Sequence, residues 1–86
     1  MWLVRRTDTF LKHLKKHKND HRLLTELDEK IKRLKEDPTV VGGNLAGNLH
    51  GHRSTRLAKN FRLIFSIDDK ENAVYLEAID HREDIY

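Results

Sequence analysis

Arg53-Ser54-Thr55-Arg56-Leu57-Ala58-Lys59-Asn60-Phe61-Arg62-Leu63-Ile64-Phe65-Ser66-Ile67 reads with a period of two, broken near Lys59-Asn60. Ser54, Arg56 and Ala58 alternate with Arg53, Thr55 and Leu57, and Phe61, Leu63, Phe65 and Ile67 alternate with Arg62, Ile64 and Ser66, which predicts two strands. If Leu63, Phe65 and Ile67 face a core, alternation sends Arg62 to the opposite face, and Arg56 joins it when Leu57 points inward.

C-terminal to this stretch, Asp68-Asp69-Lys70-Glu71-Asn72 is polar enough for a hairpin turn, and Ala73 to Ile79 forms a last strand. Taking Val74, Leu76 and Ala78 as core-facing sends Tyr75, Glu77, Ile79 and His81 to the open face. N-terminal to it, all four glycines fall between Gly42 and Gly51, which marks a bent loop.

Further upstream the period lengthens. Leu23, Leu24, Leu27, Ile31 and Leu34 form an i, i+3, i+4 stripe, predicting a helix from about 20 to 35 that ends at Asp37-Pro38. Phe10, Leu11 and Leu14 predict a shorter helix over about 8–17, with Thr7 or Asp8 as N-cap, and Trp2-Leu3-Val4 reads as a first strand. Asn19-Asp20 separates the helices, so they form a hairpin. The expected fold is α+β, in the order β-α-α-β-β-β, with the helix hairpin on one face of a small, mainly antiparallel twisted sheet. Residues 1–86 read as one domain.

Cysteine is absent, so disulfides, thiolate metal sites and thiol nucleophiles are excluded, and a reducing compartment, the cytoplasm, is expected. No apolar run is long enough to span a membrane, and Met1-Trp2-Leu3-Val4-Arg5 does not read as a signal peptide. Gly42-Gly43 and Gly47 lack the spacing and lysine of a P-loop, so no nucleotide cofactor is implied. His13, His17 and His21 share a four-residue spacing that suits a metal on one continuous helix, but Asn19-Asp20 breaks it, and no metal is expected.

Charge is unevenly placed. Residues 1–37 carry 11 Lys/Arg against 7 Asp/Glu, residues 38–67 carry 4 against none, and residues 68–86 carry 2 against 7. The acid-free stretch holds Arg53, Arg56, Lys59 and Arg62 with His50 and His52, a surface suited to nucleic acid or to an acidic peptide. Lys12, Lys15, Lys16 and Lys18 are further candidates for phosphate contact.

Asn48-Leu49-His50-Gly51, Ser54-Thr55-Arg56-Leu57, Phe61-Arg62-Leu63-Ile64-Phe65, then His81-Arg82 and Ile85-Tyr86 together resemble the RelE/ParE toxin superfamily, in particular RelE- and YoeB-type ribosome-dependent mRNA endonucleases. The resemblance spans the second half of the chain, and the element order extends it to the whole. It implies a toxin of a type II toxin-antitoxin system that cleaves mRNA in the ribosomal A site, with the ribose 2′-hydroxyl attacking the adjacent phosphate and no cofactor. The implied partners are ribosome, mRNA and a cognate antitoxin in a hetero-oligomer.

By the same resemblance, Arg62 holds a phosphate, for which a planar guanidinium is suited, and Arg56 matches a second basic position. His81 fits a general acid, and Tyr86 a stacking or proton-transfer group. Arg53, His50, His52, Lys59 and Arg82 complete an RNA-binding set. The chain departs from the pattern in two places. The acidic residue that YoeB-type toxins carry upstream of the loop falls near Gly42-Gly43, leaving His50 or His52 to stand in, and Ser54 replaces one basic strand residue. The same fold also serves ParE-type toxins that poison DNA gyrase without catalysis, and a degenerate toxin that only binds its antitoxin is a third reading.

Overall fold

In the computed structural model, which describes residues 1–45 and 51–81, Phe61–Asp68 is the central strand of a five-stranded sheet. In chain order the elements are β1 (Leu3–Arg6), α1 (Asp8–Lys16), α2 (His21–Glu36), a 3-10 turn (Pro38–Val40), β2 (Gly43–Asn44), β3 (His52–Leu57), β4 (Phe61–Asp68) and β5 (Ala73–His81). The sheet order is β1-β5-β4-β3-β2, antiparallel throughout except for the parallel β1–β5 pair. This is the expected α+β arrangement with one addition. The short strand β2 lies in the glycine loop and was not foreseen, because two residues show no periodicity.

Each helix starts at a side-chain cap, and for α1 it is the expected Thr7. Thr7 Oγ1 accepts from the Phe10 N–H and donates to the Leu76 carbonyl at 2.7 Å, so one side chain begins α1 and ties it to β5. Asp20 Oδ1 accepts from the Leu23 N–H at the start of α2. Asp37 closes α2 and opens the 3-10 turn; the Thr39 hydroxyl and then the Thr39 N–H, both donating to its carboxylate, hold that carboxyl below its ordinary value.

The core lies between the helices and one sheet face. Phe10, Leu23, Leu27, Ile31 and Leu34 pack there against Leu57, Leu63, Phe65, Val74, Leu76 and Ile79. Burying a side chain of this size contributes roughly 1.5–3 kcal/mol, so the stripe on α2 accounts for much of what holds the hairpin to the sheet.

One irregularity changes which residues face the core. Between β4 and β5, Ile64 pairs with Ala78 but Phe65 pairs with Leu76, so Glu77 is an extra residue, a β-bulge. From Ala78 onward the alternation is therefore inverted relative to expectation. Ile79 is buried in the core and His81 lies on the helix side, opposite Phe61, whereas Ala78 and Asp80 take the open face. The bulge has no sequence signature, which is why the simple alternation placed Ala78, Ile79 and His81 on the wrong face. Past the end of β1 the Ile79 N–H has no strand partner, and His13 Nδ1 on α1 accepts from it at 3.0 Å.

Candidate functional site

The sheet face away from the helices carries a cross-strand row of charged side chains. Arg56 on β3 is the register partner of Arg62 on β4, and Arg62 is the register partner of Asp80 on β5. Neighbouring strands lie about 4.8 Å apart, so three charged groups stand side by side. Like charges directly opposite each other destabilise a sheet, and the Arg56–Arg62 pair therefore costs stability unless an anion lies between the two.

Arg62 is only loosely held. Its Nη2 lies 3.6 Å from Asp80 Oδ2, an ion pair too long for a hydrogen bond. Its Nε is buried and has no hydrogen-bond partner among the described residues. The bulge moves Glu77 along the sheet and brings Asp80 into register with Arg62. Arg56 is exposed.

A second polar cluster lies further along the same face. Ser66 Oγ donates to Glu77 Oε2 at 2.7 Å, and His52 Nε2 stands 3.9 Å from that same oxygen, an ion pair whenever the ring is protonated. His52 is the register partner of Ser66. His52 Nδ1 is buried without a partner among the described residues.

Arg53 has a different place from the one expected. It lies on the helix side with Thr55 and Leu57, and its guanidinium donates to the carbonyls of Thr39, Val41 and Gly42 and to Asn44 Oδ1 at 3.1–3.2 Å. It fastens the 3-10 turn and β2 to the sheet, and so it is not part of the open basic face. Lys59 is exposed in the β3–β4 turn. The His81 ring packs edge-on against Phe61 at 4.9 Å, and the His17 ring meets Phe61 from the other direction at 4.8 Å. His50, Arg82 and Tyr86 lie outside the described residues.

Sequence reasoning expected Arg62 and Arg56 to share a face, where the structure brings them together as register partners, and did not place Asp80 beside them. The only available signal was the carboxylate beside His81, and its face depends on the bulge. Among the described residues no group of three His, Cys, Asp or Glu side chains converges in a way that suits a metal. Among the described residues no helix is long and apolar enough to cross a membrane.

Comparison with known proteins agrees with this fold. The family model for the ParE toxin of the type II toxin-antitoxin system parDE matches residues 4–86. Toxin RelG of Mycobacterium tuberculosis (strain ATCC 25618 / H37Rv) is 36% identical over 86 residues, 99% of this chain and 95% of its own. The crystal structure of the toxin-antitoxin complex RelBE2 from M. tuberculosis aligns with a TM-score of 0.79 at 34% identity, covering 96% of this chain and 93% of that one. A YoeB/ParE toxin from Agrobacterium tumefaciens shares the fold, with a TM-score of 0.80 at 16% identity over 92% of this chain and 96% of its own. The chain belongs to the ParE toxin family of type II toxin-antitoxin systems, within the RelE/ParE superfamily.

Proposed function

We propose that this toxin is an endoribonuclease that cuts mRNA on the ribosome through attack of a ribose 2′-hydroxyl on the adjacent phosphate, and that an antitoxin holds it silent. The observation that carries the reading is the Arg56–Arg62 pair on the open sheet face. A phosphodiester between the two guanidiniums relieves their repulsion and accepts their hydrogen bonds, and the extra negative charge of the pentacoordinate transition state strengthens both contacts. Lys59, His52, His50 and Arg82 extend the RNA-binding surface in this proposal, and Tyr86 supplies the stacking group. His81 lies at the end of the sheet on the helix side, packed on Phe61 and across the sheet from the arginine row, and it carries no step of this proposal.

The antitoxin reading is supported by the relative whose structure is a toxin-antitoxin complex. Primer extension on a reporter mRNA in a reconstituted translation system tests the activity. Ribosome-dependent cuts by the wild type, lost in Arg62→Ala with an unchanged unfolding midpoint, are expected. Intact message from a folded wild type would sink the proposal.

The match to the ParE model favours a second reading, a poison that binds DNA gyrase without catalysis. It predicts gyrase-linked DNA breaks while translation at first continues, whereas the endonuclease arrests translation first.

A further inference from the structure

Cleavage by a 2′-hydroxyl needs a group that takes the hydroxyl proton. The row of register partners on the open face ends in a carboxylate. Asp80 stands across from Arg62 on β5, on the face that carries Arg56 and Arg62, and its side chain is 44% exposed. At 3.6 Å its contact with Arg62 Nη2 is a charge pairing without the paired, parallel hydrogen bonds that would occupy both carboxylate oxygens. An ionised carboxylate is acceptor-only and offers about four lone-pair sites, so Asp80 has acceptor capacity beyond what Arg62 uses. The bulge at Glu77 is what brings it there.

We infer that Asp80 is the general base of the proposed endonuclease, a reading that rests on the activity proposed above. With the scissile phosphate between Arg56 and Arg62, Asp80 accepts the 2′-hydroxyl proton as the O2′–P bond forms. The P–O5′ bond then breaks, and the departing 5′ oxygen takes a proton from solvent. Asp80 returns its proton to water, so the net change is isomerisation of the chain into a 2′,3′-cyclic phosphate and a 5′-hydroxyl, with atoms and charge balanced.

The test is single-turnover cleavage of a programmed message on ribosomes by wild type, Asp80→Asn and Asp80→Glu, across a pH series and a toxin titration, with the unfolding midpoint of each. General base catalysis contributes roughly 100-fold or more, so Asp80→Asn is expected to lose that factor in saturating rate and the acidic limb of its pH profile. Its half-saturating concentration should stay near the wild-type value, and Asp80→Glu should recover part of the rate. If Asp80 only steadies Arg62, Asp80→Asn raises the half-saturating concentration and keeps the pH profile, and the assignment is overturned. Equal rates for wild type and a folded Asp80→Asn overturn it as well while leaving the endonuclease intact. A folded wild type that never cuts removes the endonuclease and, with it, the role of Asp80.

Discussion

At Arg53 one guanidinium satisfies three backbone carbonyls and the Asn44 side chain. Hydrogen bonds to charged groups contribute about 1.5–3 kcal/mol when well made, and partial exposure discounts that here. Arg53→Ala is expected to lower stability by roughly 1–2 kcal/mol in a urea titration while a saturating dose still cuts message. Arg62→Lys should behave in the opposite way, with stability kept and cleavage lost, because an ammonium cannot replace a planar fork on a phosphate. If Arg53→Ala lost cleavage at unchanged stability, Arg53 would belong to the RNA face after all. From sequence the two arginines look alike, both strand residues in an acid-free stretch. Alternation separates their faces once the core side is known, as it did for Arg62 and Arg56. What the carbonyls of Thr39, Val41 and Gly42 require is set by the path of a loop, which no local pattern reveals.

The elements whose periods run undisturbed were legible in advance. The α2 stripe and its stop at Asp37-Pro38 follow from side-chain spacing and the geometry before proline. β5 was legible only as far as its bulge, since one extra residue reverses every later side chain and leaves no compositional trace. Its consequence is measurable through His13, which reaches from α1 to accept the Ile79 N–H that β1 is too short to cover. His13→Ala leaves that part-buried donor unmatched and should cost about 1–2 kcal/mol, with faster hydrogen exchange confined to the end of β5. Unchanged exchange at Ile79 would mean that water substitutes fully for the imidazole. The β3–β4 turn offers the opposite sign. Ala58 sits at φ 55°, a left-handed conformation that strains any residue with a Cβ, and its N–H is held by Glu26 Oε1 at 2.9 Å. Ala58→Gly relieves the strain but adds freedom to the unfolded chain, so a net gain of roughly 0.5–1 kcal/mol is expected in the same titration.

Across the whole molecule, the helices cover one side of the sheet and the arginine row lies on the other, so the chain carries positive charge on two opposed surfaces. Lys12 and Lys16 are exposed on α1 and cannot reach a message bound over Arg56 and Arg62, yet a ribosome surrounds its ligands with phosphate on more than one side. If these lysines meet ribosomal RNA, each releases counterions on binding, and the salt dependence of affinity records them independently of catalysis. Replacing both with Gln should reduce the slope of log affinity against log salt by roughly 1.5 in ribosome co-sedimentation, with the saturating cleavage rate kept. On the proposed mechanism, which gives Arg56 the reacting phosphate, Arg56→Gln reduces the slope and the rate together. An unaltered slope in the double lysine variant would place α1 in solvent within the complex, and all electrostatic attachment would then fall to the open face of the sheet.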